Sequence, residues 1–190
     1  NQQLRKYGGD LAIGAYGIIN RLSFLFVMVV MGINQGMQPI ASYNYGAGKG
    51  TRVKEVYWLS VFWASLSTIL GFLVFELFPG AAASMFTNDA ELKRLAVHGM
   101  RIMNIAFPII GFQIISTNLF QCLGMVRKSV FLSLSRQLIF LIPALYLLPL
   151  AFGIEGVWLS YPVSDALAFI CTIILVIRLI RQLESNENPQ

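Results

Sequence analysis

The chain has 190 residues, of which 56% are hydrophobic and only 12% are charged, and its mean hydropathy is +0.67. A soluble domain carries about 25% charged residues, so this composition excludes an ordinary soluble protein and indicates that the lipid bilayer is the solvent. The net charge of +5 comes from short clusters between long apolar runs and from no basic helix face interleaved with aromatic residues, which argues against nucleic-acid binding.

Five apolar runs are long enough to cross a membrane, because a helical span needs about 20 mostly apolar residues. Barrel strands are about 9–11 residues long and alternate in polarity, so these longer, uniformly apolar runs favour helices. We therefore predict an all-α, polytopic membrane helix bundle with a membrane domain at residues 1–183. The predicted spans cover residues 11–43, 56–78, 95–123, 130–152 and 157–177.

The first span ends in a polar segment. Asn34, Gln38 and Ser42 follow one another at four-residue spacing, which places them on one helix face, and Gln35 lies beside them. Pro39 removes a backbone hydrogen bond and predicts a kink. In lipid such a kink either packs against polar neighbours or lines a watery cavity. Both alternatives stay open for Gln35 and Gln38.

The third span carries a second polar stripe, in which Asn104, Gly111 and Asn118 recur at seven-residue spacing. Pro108 predicts a bend in this span. Small and amide residues along one stripe are typical of helix packing in membranes. A solute-facing role for Asn104 and Asn118 is the alternative.

Asp165 is the most unusual residue of the last span. It lies about 12 Å along the predicted helix, near the middle of a hydrocarbon core that is about 30 Å thick. Pro162 stands just before it and predicts another kink. An ionised carboxylate at this depth must be paired, solvated or protonated. It is therefore either a proton- or cation-binding group or the structural partner of Arg21, Arg101 or Arg136.

Charged residues in the loops predict the orientation, because basic loops stay in the cytoplasm. Basic residues follow the first, third and fifth spans, so we expect the chain to start outside, cross five times and end in a cytoplasmic tail at residues 184–190. A start outside without a signal peptide leads us to expect at least one more span upstream. The basic residues are Lys49, Arg52, Lys54, Arg127, Lys128, Arg178 and Arg181.

None of the common catalytic or metal-binding spacings occurs in the sequence. Cys122 and Cys171 lie in apolar runs, and His98 is the single histidine, so we expect no metal site and no resident cofactor. We expect a transporter and no enzyme, since a membrane enzyme would need a polar catalytic cluster at an interface. A purely structural membrane subunit is another alternative, and it predicts fully packed polar stripes and no cleft.

The segment from Gly32 to Lys54, G-I-N-Q-G-M-Q-P-I-A-S-Y-N-Y-G-A-G-K-G-T-R-V-K, resembles the second-half signature of the MATE multidrug and toxin extrusion transporters. Two further segments, Y-G-G-D-L-A-I-G-A-Y-G-I-I-N-R near the start and G-I-E-G-V-W-L-S-Y-P-V-S-D in the last span, are similar to the same family. The resemblance covers nearly the whole chain, and it is closest to the bacterial, sodium- or proton-coupled branch.

The resemblance implies a twelve-helix transporter of two lobes, in which this chain forms helices eight to twelve and the N-terminal lobe of the same polypeptide is its partner. It implies export of cationic or amphipathic drug-like compounds in exchange for sodium ions or protons by alternating access. It further implies a multi-pass protein of the bacterial inner membrane. A lipid-linked oligosaccharide flippase of the same superfamily is the alternative, which Arg21, Arg101 and Arg136 would favour if they faced inward.

Five residues are predicted to line the solute or cation pathway, and they come from the first, third and last spans. Some members of the family carry an acidic cation ligand in the tenth helix, but the third span here has no Asp or Glu. The coupling residue is therefore expected in the first lobe or at Asp165. The predicted pathway residues are Gln35, Gln38, Asn104, Asn118 and Asp165.

Overall fold

The computed structural model of the chain describes residues 2–187. Within that range the structure contains helices and short turns but no strand, which confirms the predicted all-α class. The helices are α1 (Gln2–Gly46), α2 (Gly50–Leu77), α3 (Pro79–Ser84), α4 (Ala90–Met103), α5 (Phe107–Cys122), α6 (Val126–Leu134), a π-helical segment (Ser135–Leu141), α7 (Ile142–Phe152) and α8 (Ile154–Glu187).

Four helical stretches are each long and apolar enough to cross a membrane: α1, α2, α6 through α7, and α8. The α4–α5 pair makes a fifth crossing if it is counted as one span, with a bend of 58° between the two helices. The predicted number of about five spans is therefore confirmed for the described residues.

The predicted third span, residues 95–123, is in fact two helices separated at residues 104–106. Pro108 lies in the first turn of α5, where its missing N–H and fixed φ are tolerated, whereas it would disrupt a helix interior. The bend of 58° lies just before Pro108, so the proline starts α5 and does not interrupt a helix.

The ends of α1 and α8 extend beyond the predicted spans. α1 begins at Gln2, but Gly9 interrupts its helical geometry with φ 66° and ψ −163°, a conformation that glycine adopts without steric cost. Helix α8 continues to Glu187, so the first part of the predicted tail extends the last span. Residues 188–190 of that tail lie outside the described residues.

Three features of the helix backbone bear on the site. Helix α1 continues through Pro39 and α8 continues through Pro162, so neither proline ends its helix. A kink at either proline stays a prediction. The fourth span, by contrast, contains the π-helical segment. Such segments often occur at functional sites.

Two hydrophobic clusters lie toward opposite ends of the bundle. One joins the first half of α1 to the end of α2 and the start of α8, around Trp158. The other joins the second half of α1 to the start of α2 and the end of α8, around Tyr57. Gln113 and Asp165 belong to neither cluster and fall between them along α5 and α8. These two polar residues therefore lie near the middle of the bundle.

Helices α2 and α5 approach each other at Gly111. A Cβ at this position would lie 2.7 Å from the backbone carbon and oxygen of Ala64, so the contact depends on glycine. On the same pair of helices, the hydroxyls of Tyr57 and Ser116 lie 2.8 Å apart. Gly111 of the predicted stripe therefore serves helix packing.

Replacing Tyr57 by Phe is expected to lower the stability of the complete protein by about 1 kcal/mol. Ser116 already donates to the carbonyl of Phe112 at 2.7 Å, so Tyr57 is the donor in the hydroxyl pair, and the change removes it. The melting temperature of the detergent-purified protein measures the effect. Tyr43→Phe is the control, because Tyr43 is 75% exposed, and an equal loss in both variants would contradict the expectation.

Candidate functional site

An ion pair between the π-helical segment and α8 forms the centre of the candidate site. Arg136 Nε donates to Asp165 Oδ1 at 2.7 Å. The Asp165 side chain is only 8% exposed, whereas that of Arg136 is 38% exposed. A lone carboxylate at this depth would be costly, and the guanidinium supplies its counter-charge. Of the three arginines considered from sequence, Arg136 is therefore the partner.

The backbone is held at both members of the ion pair. Ser164 Oγ donates to the carbonyl of Arg136 at 2.8 Å, and Gln113 Nε2 donates to the carbonyl of Asp165 at 2.6 Å. These two bonds join α5, the π-helical segment and α8 at one level. The positions of both charged residues are thus fixed by side chains from neighbouring helices.

A cavity of about 370 Å³, named here the Asp165 cavity, opens beside the carboxylate. Two of its aromatic residues, Tyr16 and Tyr161, have ring centroids 5.6 Å apart. Asn104 also lines it, and its Oδ1 accepts a hydrogen bond from Ser23 Oγ at 3.2 Å. The cavity therefore combines one carboxylate with aromatic faces and amide groups.

A second cavity of about 360 Å³, named here the Gln113 cavity, lies between α5, α6 and α8. Gln113 Oε1 is buried and has no hydrogen-bond partner among the described residues. Arg136 lines both cavities, whereas Asp165 lines only the first. Arg136 is thus the charged residue, among those described, that the two cavities share.

The structure brings three of the five predicted pathway residues into these cavities. Asn104 and Asp165 line the Asp165 cavity, and Asn118 lines the Gln113 cavity. Gln35 and Gln38 line neither, since Gln35 is exposed on α1 and Gln38 is half-buried. A pathway role for these two residues stays a prediction.

Two important residues were not among the predicted pathway set. From sequence, Arg136 is one of three possible partners of Asp165 and one of three arginines that would favour a flippase, and Gln113 is not among the predicted residues. Gln113 stands out in the sequence only as an amide within an otherwise apolar run. The structure shows that the side chain turns toward α8, where it donates to the carbonyl of Asp165.

A third polar cluster lies where α4 faces the start of α8. His98 Nε2 and Glu155 Oε1 are 3.5 Å apart, and with Arg101 they line a pocket of about 620 Å³. Arg101 therefore does not face the Asp165 cavity, and Arg21 is exposed on α1. Among the described residues, no group of three or more His, Cys, Asp or Glu side chains could hold a metal ion.

Comparisons with known proteins agree on one family. The MatE family model matches residues 4–147. The multidrug export protein MepA of Staphylococcus aureus (strain MSSA476) is 24% identical over 168 residues, which cover 88% of this chain and 37% of MepA. The FAD transporter of Shewanella oneidensis is also 24% identical over 168 residues, which cover 88% of this chain and 37% of that protein. The chain thus spans a little over a third of the length of these curated relatives.

Solved structures show the same architecture. The MATE multidrug transporter DinF-BH is 40% identical with a TM-score of 0.81, over 92% of this chain and 39% of that one. The outward-facing conformation of a multidrug resistance MATE family transporter of the MOP superfamily is 19% identical with a TM-score of 0.89. The match covers 97% of this chain and 42% of that one. The second likeness shows the fold alone.

Proposed function

The chain belongs to the MatE family of membrane transporters, and from this premise we propose that the complete protein exports cationic or amphipathic compounds in exchange for sodium ions or protons. Export proceeds by alternating access across the bacterial inner membrane, with the C-terminus in the cytoplasm. This chain contributes the larger part of the second lobe, and the N-terminal lobe of the same polypeptide completes the cleft.

The buried carboxylate at the wall of the Asp165 cavity is the observation that carries the proposal. A monovalent organic cation needs a counter-charge and an apolar or aromatic surface, and aromatic faces attract cations. Asp165 supplies the charge, and Tyr16 and Tyr161 supply aromatic surface in the same cavity. The names of two relatives, a multidrug export protein and a multidrug transporter, support a solute of this kind.

The lipid-linked oligosaccharide flippase is the second candidate. Such a protein would have a cationic cavity lined by several arginines. Only Arg136 of the three candidates lines the central cavities, and it is paired with Asp165. The charge balance of the site therefore supports drug export more than flipping of an anionic lipid-linked sugar.

Vesicles containing the complete protein and loaded with ethidium test the proposal. An imposed sodium gradient and an imposed proton gradient are applied in turn, and we expect one of them to accelerate ethidium efflux because its ion exchanges with the solute. Fluorescence of the retained dye measures the rate. Vesicles without protein and vesicles without a gradient are the controls, and equal efflux under all conditions would contradict the proposed function.

A further inference from the structure

We propose that Arg136 is an internal competitor for the solute: its guanidinium occupies Asp165 in the absence of a cation and transfers to Gln113 Oε1 when a cation binds Asp165. The inference rests on the proposed function, because it requires a cationic solute in the Asp165 cavity. It makes Arg136 and Gln113 determinants of the charge that the transporter accepts.

The first support is the position of the guanidinium. Arg136 lines both cavities, and its side chain is far more exposed than that of Asp165. The hydrogen bond to Asp165 uses Nε, so the terminal nitrogens of the guanidinium are left to donate elsewhere. The group can therefore turn from one cavity to the other without leaving a polar environment.

The second support is the buried, unpaired acceptor of Gln113, a residue that lines the Gln113 cavity. Gln113 is 4% exposed, and its Oε1 has no partner among the described residues. The carbonyl of Asp165 can only accept, so the amide nitrogen of Gln113 must face it and the oxygen must face away. A buried acceptor without a donor is costly. Among the described residues that line this cavity, Arg136 is the charged one.

The third support is that the backbone need not move. Ser164 holds the carbonyl of Arg136, and the amide nitrogen of Gln113 holds the carbonyl of Asp165. The two alternative acceptors are therefore neighbours, and the long arginine side chain can swing between them alone. Each charge has a polar partner in both arrangements, because the solute replaces the guanidinium at Asp165.

The consequence is selection by charge. A positively charged solute offsets the loss of the Arg136–Asp165 contact, because it gives Asp165 a new counter-charge. A neutral solute that displaced Arg136 would leave Asp165 without one. Selection of this kind acts through differences in affinity between solutes. The exchange thus gives a physical reason for discrimination between cationic and neutral compounds of the same shape.

Two substitutions of Gln113 test the exchange in ethidium efflux by the complete transporter. Gln113→Glu and Gln113→Leu both lose the amide nitrogen that donates to the backbone carbonyl of Asp165, and they differ in what they offer Arg136. We expect Gln113→Glu to attract the guanidinium and lower the half-saturating ethidium concentration about tenfold, which corresponds to about 1.4 kcal/mol. Gln113→Leu should raise that concentration.

The controls are Gln121→Glu and Gln121→Leu on the same helix, since Gln121 is exposed and lines neither cavity. Neither control should change the half-saturating concentration. Shifts of the two Gln113 variants in the same direction, or no shift in either, would overturn the exchange. Opposite shifts support it together with the labelling pattern below, because the carboxylate that Gln113→Glu adds also attracts a cation directly.

A labelling experiment reads the position of Arg136 without any solute. Reporter cysteines are introduced by Ser23→Cys in the Asp165 cavity and Ser133→Cys in the Gln113 cavity, in a background without other cysteines. Each reporter cysteine is labelled by a mixture of an anionic and a cationic methanethiosulfonate, and the ratio of the two products gives its preference. The ratio is measured in the protein with Asp165 and in the Asp165→Asn variant. If the guanidinium transfers, the preference for the anionic reagent rises severalfold at Ser133→Cys and stays unchanged at Ser23→Cys.

The opposite pattern, a rise confined to Ser23→Cys, would show that Arg136 stays in place and would overturn the inference. Because this readout needs no transport, it separates the two ideas. A wild-type protein that moves no ethidium contradicts the proposed function, while the labelling pattern alone decides whether Arg136 transfers.

Discussion

Replacing Asp165 by Asn in the complete transporter is expected to weaken binding of monovalent cations by about 2 kcal/mol or more, or roughly thirtyfold. The substitution keeps the size of the side chain and removes the only carboxylate among the described residues that line the Asp165 cavity. Arg136 then has no anionic partner, and the solute has no counter-charge. Initial rates of ethidium efflux over a range of dye concentrations measure the loss.

Two controls separate this loss from general damage. Glu76→Gln removes an exposed acidic residue at the end of α2 and should leave efflux unchanged. The double variant Asp165→Asn with Arg136→Gln restores charge balance, so it would recover transport if Asp165 served only to neutralise Arg136, and we expect no recovery. Unchanged efflux and unchanged ion dependence in Asp165→Asn would remove Asp165 from the mechanism.

Replacing Gly111 by Ala is expected to destabilise the complete transporter by about 1–3 kcal/mol, the usual cost of overpacking. The added methyl would meet backbone atoms of Ala64 in α2, and backbone cannot rotate away as a side chain can. The helices must separate, which also strains the Tyr57–Ser116 contact between them. The melting temperature of the purified protein measures the effect.

Gly36→Ala is the matched control for this prediction. Gly36 also lies inside a helix, but a Cβ there would meet nothing within 4 Å. Alanine favours helix more than glycine by about 1 kcal/mol, so we expect no loss of stability in this control. A destabilisation of the same size at both positions would show that the close contact is not the cause.

Much of the architecture is predictable from sequence because lipid imposes strict requirements on the backbone. Long apolar runs predict the spans, and Pro108 predicts the bend in the third one. The break at Gly9 and the π-helical segment around Arg136 were not predicted. A glycine in a polar stretch has many possible roles, and the π-helical register depends on contacts with α8, such as Ser164 with the Arg136 carbonyl, that are absent from local sequence.

The candidate site was predictable only in part. Asp165 stands out because a carboxylate in the middle of a span needs an explanation, and Asn104 and Asn118 stand out by their spacing. The choice of Arg136 over Arg101 depends on how α4 and the π-helical segment are rotated toward α8. Gln35 shows the converse: it lies in the most distinctive motif of the chain, yet it lines neither cavity.

The contact of α2 with α5 also has a consequence for biogenesis. α2 is synthesised and can enter the bilayer before α5 exists, so the groove that later receives Gly111 first faces lipid. The hydroxyl of Thr68 has a hydrogen-bond partner in lipid even without α5, because it donates to the carbonyl of Ala64 in its own helix. Tyr57 finds its partner Ser116 only on α5. The Tyr57–Ser116 bond, and with it the close contact at Gly111, can therefore form only after the third crossing has entered the bilayer.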